Sequence, residues 1–397
     1  MPFILLIRRI YKKWFLKKGA TIGYKSVVLL IMAILVFFAY HEISTWAKRI
    51  WSWIQKYRNG QEGFSDNKNT VSPSPEYMKT LEEHQKKGMF PFRWLKDENG
   101  NILPIVLVSG FFRDDEAKAR YEEYIENGVK VVGITAYKTF PKQIDDSSED
   151  KYHHTDSFNY LKKIKNWMTC FKNPADYGFT QENNIIDISE SDFYDVDTGA
   201  ISEKKYDIIY VCLKDDDSCP LDGWNAINRN YELALKCLPT MINDRGLKVL
   251  VIGRIGCGLE EKYGADKIET TDFLPWHEFQ TKLKESKILF VPNIMDASPR
   301  VIGEAMIKGL PVIMNKNIVC GSKYIVGDTG VLFNDEDDFP TALSQILDAY
   351  PKISPKKVQD WWGANYGVKR SAKKMRDFLA GCYPGLLDNV KEATFYL

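Results

Sequence analysis

Two acids eight positions apart, Asp296 and Glu304, stand in the stretch Asp296-Ala-Ser-Pro-Arg-Val-Ile-Gly-Glu-Ala-Met-Ile-Lys-Gly-Leu-Pro-Val312. The first lies in a loop and the second inside a helix, so the pair brackets a helix N-terminus. Backbone N–H groups at such a start, here Ser298 to Val301, carry partial positive charge and favour phosphate. The chemistry these residue types serve is therefore the binding of a phosphorylated ligand between two carboxylates. The plainer alternative is that Asp296 caps the helix and Glu304 is a solvated helix residue.

The elements that must position this pair read as strand, loop, helix, strand. Ile288 to Val291 is a short apolar run bounded by Pro292 and Asn293, as expected of a buried parallel strand. Pro299 is tolerated in a first helical turn, Gly309 stops the helix, and Leu310 to Met314 is the next strand. Upstream, Asp207 to Leu213 reads as a strand followed by Lys214, a turn at Asp222-Gly223, and a helix from Trp224 to Cys237 that contains Arg229. A strand over Lys248 to Gly253 and a short one ending at Phe273 to His277 precede a helix at 278–286. The spacing of Gly253, Gly256 and Gly258 does not make a dinucleotide fingerprint. Beyond the motif come a turn at Gly327 to Gly330, a strand at Val331 to Phe333, and helices at 339–350 and 356–380. The first half repeats the alternation: strand 103–108, the turn Ser109-Gly110, helix 114–126, strand 129–134, His153-His154, a helix over 157–171 and strand 184–188. Strands alternating with helices predict parallel sheets with ligands at their carboxyl edges.

The stretch from Asp296 to Val312, an acid, seven residues, a second acid, Glu-Ala, then Gly-x-Pro-Val, resembles retaining GT-B glycosyltransferases of the family-four (group 1) kind. The resemblance covers roughly Lys205 to Val331. It implies an α/β GT-B fold, two Rossmann-like domains facing across a cleft. It also implies transfer of a sugar from a nucleotide-sugar donor, with retention of configuration and without a metal or other cofactor. Matched by position, Glu304 would hold the ribose and Asp296 the transferred sugar, though Asp is one methylene shorter than the Glu usual there. Lys214, and less naturally Arg229 within its helix, would neutralise the diphosphate, with Ser298, Pro299, Arg300 and Val301 adding the helix start. Leu274 and Pro275 would lie beside the base, Trp276 being either stacked or core, and Gly110 would be the backbone approach of the first domain or a plain turn. Neither His153 nor His154 aligns with the family's donor-contacting histidine, and a surface role is the better reading of both.

The chain has 397 residues, 44% of them apolar, and a formal net charge of +1. That is enough for two domain cores, and the charge argues against a nucleic-acid surface. Seven scattered cysteines with no CxxC pair indicate neither a zinc site nor a disulfide framework. Residues 1–25 are basic and amphipathic, and 26–47 supply the ~20 apolar residues of a bilayer span. The expectation is a single-pass membrane protein with a cytoplasmic N-terminus, the side of the catalytic part being undecided and the unpaired cysteines leaning against the lumen. A linker or stem follows at 48–95, then an acceptor domain at 96–205, a donor domain at 206–355 and a helical segment at 356–397 that packs back on the first domain. The acceptor is a glycan, lipid or protein. Two other readings stay open: a metal-dependent GT-A-like transferase using Asp215 to Asp217, and a non-catalytic, membrane-tethered carbohydrate-binding protein.

Overall fold

The computed structural model describes residues 72–135, 140–141, 158–197, 199, 202–296 and 299–395. The basic and apolar segments 1–25 and 26–47, His153, His154 and Ser298 lie outside them. The chain divides into a unit Met1–Thr70 and a unit Val71–Leu397, and the second carries all the elements below. No described helix is long and apolar enough to cross a membrane.

The first domain begins earlier than the sequence suggests. Helix α1 (Pro75–Lys87) and strand β1 (Phe92–Lys96) fold where a linker was read. Ser74 accepts the Tyr77 N–H to start α1, and Leu81 is fully buried, so the Ser-Pro text is a helix cap. Strand β2 (Ile102–Val108), α2 (Asp115–Glu126) and β3 (Lys130–Ile134) form the expected parallel unit. The helix predicted over 157–171 is instead a single turn, α3 (Tyr160–Lys163), and a strand, β4 (Asn166–Thr169). The indole of Trp167 donates to the Ile164 carbonyl, and its buried ring fills the space over Gly133, where a Cβ would meet it at 2.2 Å. Strand β5 (Asn184–Asp187) completes the parallel part.

The second domain is β6 (Tyr206–Val211), α4 (Trp224–Asn228), α5 (Tyr231–Pro239), β7 (Val249–Ile252), α6 (Leu259–Tyr263), β8 (Ile268–Thr271), α7 (Trp276–Lys284), β9 (Ser286–Val291), α8 (Arg300–Met306), β10 (Val312–Asn315), β11 (Gly330–Phe333) and α9 (Phe339–Ala349). Its sheet runs β11-β10-β9-β6-β7-β8, all parallel. Strand order reverses between β6 and β9, the switch point where open sheets leave a crevice. Both faces are buried, which is why these strands read as continuous apolar runs. Ile208, Tyr210, Val251 and Phe290 face one layer, and Ile209, Leu250, Leu289 and Val291 the other. The last helices, α10 (Pro355–Asn365) and α11 (Val368–Cys382), return along both domains. Trp362 joins the second core, Met375 and Leu379 join the first, and a short β12 (Thr394–Phe395) pairs antiparallel with β1.

Four of the seven cysteines pair, correcting the expectation of none. Cys170 bonds Cys320 and Cys219 bonds Cys257, at sequence separations of 150 and 38. Such pairs have no sequence spacing to betray them, because sheet order brings the strand ends together. Cys212, Cys237 and Cys382 are buried thiols.

Candidate active site

A cavity of about 530 Å³ opens at the carboxyl ends of β6, β7 and β9, roofed by residues of β1 and of the segment after β5. Glu304 lies on its wall, on α8, with 9% of its surface exposed. Tyr194 donates its hydroxyl to Glu304 Oε1 at 3.3 Å, and Trp276 lines the same cavity. Burial raises the Glu304 carboxyl above its ordinary value, while Arg300, Trp276 and Tyr194 pull the other way. Tyr194 comes this close because residue 303 is glycine. A Cβ there would fall 2.8 Å from Tyr194 Cδ2, 3.0 Å from the Ser191 carbonyl and 3.1 Å from Trp362 Cη2.

Asp296 follows β9 and lines the same cavity. Its carboxylate takes an ion pair from Arg229, and Asn293 Nδ2 approaches at 3.4 Å. Arg229 is not a residue of a continuous helix. The helix read over 224–237 breaks at Asn230, whose φ of 50° lies in the left-handed region tolerated by asparagine. Arg229 is the C-cap of α4, and the Tyr210 hydroxyl donates to its carbonyl at 3.0 Å. The break aims the guanidinium at the cavity, and periodicity alone could not show it.

The structure brings Asp296, Glu304, Arg229, Arg300, Val301 and Leu274 to one cavity. It does not bring Lys214 there. Lys214 Nζ pairs with Asp217 at 2.7 Å and reaches the Ile255 carbonyl at 3.4 Å, while Leu213 takes the wall position. Pro275 and Pro299 are the residues preceding α7 and α8 rather than lining residues. So α8 starts at Arg300, one residue later than the sequence placed it, and Leu274 lies in a loop beyond β8. Gly110 is buried behind β2 in the first domain, off the cavity.

Asp215, Asp216 and Asp217 do not converge. Asp215 accepts the Asn225 and Ala226 N–H groups at 2.8 and 3.2 Å, capping α4 at a distance; Asp216 accepts from Ser218, and Asp217 from Lys214. Their carboxylates serve loop and helix geometry, which removes the sequence argument for a GT-A-like pair.

Arg93, Glu190, Trp224 and Phe273 carried no site signal in the sequence, and Trp276, for which a core position was one alternative, is exposed instead. Arg93 on β1 forms an ion pair with Glu190 on the opposite roof, and Trp224, Phe273 and Trp276 stand exposed at the rim. Arg254, directly after β7, is fully buried: its Nη2 lies 2.9 Å from Cys212 Sγ, its guanidinium stacks 4.0 Å over Tyr231, and its Nε and Nη1 have no partner. It is fixed positive charge beneath the carboxyl edge of the sheet. The cavity thus sets three guanidinium groups (Arg93, Arg229, Arg300) among three carboxylates (Glu190, Asp296, Glu304), a set suited to a ligand that is both polyanionic and polyhydroxylic.

Residues 224–349 match the family profile described as glycosyl transferases group 1. No curated protein matches the chain by sequence. Among solved structures, TarM is similar with a TM-score of 0.50 and 15% identity, over 69% of this chain and 54% of that one. A glycosyltransferase from Rickettsia africae ESF-5 (TM-score 0.49, 14% identity, 82% and 83% of the chains) and sucrose-phosphate synthase from Thermosynechococcus elongatus (0.49, 13%, 78% and 78%) are also similar. The chain spans about half the length of TarM, and at this identity the likeness is one of fold. The family match lies within the second domain alone, and the two α/β domains of the chain have a GT-B-like architecture.

Proposed function

We propose that this protein moves a sugar from a nucleotide-sugar donor to a glycan, lipid or protein acceptor, with retention of configuration, without a metal, and anchored to a membrane by residues 26–47. The observation that carries the reading is that Asp296 and Glu304 share one cavity wall, with Arg229 and Arg300 beside them. Glu304 would accept the ribose hydroxyls and Asp296 those of the sugar, with Leu274 and Trp276 at the base. Arg229 and Arg300 would meet the diphosphate, whose negative charge grows as the glycosidic bond breaks. Fixed guanidinium charge supplies what a divalent cation supplies elsewhere. The acceptor would enter from the Arg93 and Glu190 side, and the leaving phosphate would take its proton on the same face, so that orientation and charge do the catalytic work. Disulfides persist on oxidising sides of membranes, so the two pairs support a lumenal or external catalytic part.

The test is a thermal-shift screen against nucleoside diphosphates and nucleotide sugars, with and without EDTA. Ligands that bind only the native state raise the melting temperature. Stabilisation by one nucleotide family, unchanged by EDTA and lost in Glu304→Gln, is expected. A folded sample that no nucleotide stabilises would return the protein to the non-catalytic, carbohydrate-binding reading.

A further inference from the structure

The segment 316–321, between β10 and the following turn, belongs by sequence to the second domain but is held by the first. Cys320 is bonded to Cys170, which follows β4, with Cα atoms 5.3 Å apart. Val319 is buried in the core of the first domain with Trp167, Phe171 and Phe179. Its carbonyl accepts the Lys172 N–H at 3.3 Å, and Lys172 Nζ donates to the Lys316 carbonyl. The other side of the same segment lies on the loop that carries Asp296. The Val319 N–H donates to the Ile294 carbonyl at 3.0 Å, two residues before Asp296. At the far end of that loop, Gly321 sits so close that a Cβ would fall 2.8 Å from Pro299 Cγ and 3.2 Å from Ile302 Cδ1.

We propose that the Cys170–Cys320 disulfide is a positioning element: it fixes the Asp296 loop against the first domain and so sets where the sugar end of the cavity stands relative to the acceptor side. The path is short and continuous, from Cys170 through Cys320 and Val319 to Ile294, Met295 and Asp296. The nucleotide end is held differently, by Glu304 on α8, which packs on Ser191, Tyr194 and Trp362 and not on the 316–321 segment's disulfide. Cutting the disulfide therefore loosens the sugar end and leaves the nucleotide end in place. The proposal rests on the reading of Asp296 as the sugar-binding acid, but its structural half can be tested with no ligand at all.

The test compares the full-length chain with Cys170→Ala/Cys320→Ala and with Cys219→Ala/Cys257→Ala. Non-reducing digestion of the wild type should give a 170–320 linked peptide. Hydrogen exchange should then rise about tenfold or more over 293–296 and at Val319 in the first variant, with β6 and β7 unchanged, because local opening is set by local contacts. The second variant should leave these amides unchanged. Should the first variant fail to fold, graded reduction of the folded wild type with tris(2-carboxyethyl)phosphine gives the same correlation, linked peptide against Val319 exchange. With a panel of UDP-, GDP- and ADP-sugars, hydrolysis kcat should fall while the affinity for the matching nucleoside diphosphate holds. Absence of the linked peptide, an unchanged Val319 amide, or a rise spread evenly over the chain would overturn the proposal. A wild type that binds no nucleotide would instead overturn the donor reading, leaving the exchange result standing.

Discussion

Arg229 and Asp296, 67 positions apart in the chain, form an ion pair on the cavity wall. One is the corner of a broken helix beside β6 and the other follows β9, so the pair straddles the switch point of the sheet. Their charges are opposed directly across the cavity wall. A donor would part them, the diphosphate taking the guanidinium and the sugar hydroxyls the carboxylate.

Replacing Arg229 by Ala should lower donor cleavage by on the order of 10²-fold, the usual loss for one charged donor aimed at developing charge. Arg229→Lys should recover only part, since an ammonium lacks the planar fork. Lys214→Ala should cost far less, because Lys214 is engaged with Asp217 off the cavity. Steady-state kinetics on the three variants decide this, and a Lys214→Ala loss exceeding that of Arg229→Ala would reverse the assignment.

Glu304 links pH to both stability and binding. Burial raises its carboxyl above the ordinary value of 4.5, so folding takes up a proton as pH rises past that value. The stability it contributes is full below the unfolded value and is lost as pH climbs through the folded one. Donor affinity should move oppositely, increasing over that window as the acceptor carboxylate forms. Glu304→Gln should flatten both profiles, raise the melting temperature near neutrality, and weaken nucleotide binding by about 10- to 100-fold. Melting curves and titration calorimetry at stepped pH would show whether the two trends cross.

Gly303→Ala should destabilise the protein by about 1–3 kcal/mol, the typical cost of overpacking, because the new methyl meets Tyr194, Ser191 and Trp362. Tyr194 would be displaced from Glu304, so nucleotide affinity should fall as well. Urea unfolding with intact affinity would show that Tyr194 has no part in holding Glu304.

Trp276→Ala is the converse case. The side chain is 67% exposed, so stability should change little, whereas removing an indole that lines the cavity with Glu304 should weaken nucleotide binding. A binding constant equal to wild type would place the base elsewhere.

The parallel strands of the second domain and the acid pair were legible from the residues alone. Strands buried on both faces must be written as apolar runs, and turn and cap residues act on their neighbours, so both are legible locally. The motif from Asp296 to Val312 is also local, and both of its acids line the cavity. The rest of the site depends on contacts between segments far apart in the chain. Arg93 enters it from β1, Glu190 and Tyr194 from the turn after β5, Arg229 is turned inward by one left-handed residue, and Lys214 is turned away by an aspartate three positions on. The helix read over 157–171 failed for the same reason: Trp167 is drawn into a strand by the space over Gly133, a contact made across the sheet. The cysteines show the limit most plainly. Their spacing is silent, and the pairing of Cys170 with Cys320 depends on which strand ends the burial of two sheets brings together, a condition set by the whole chain.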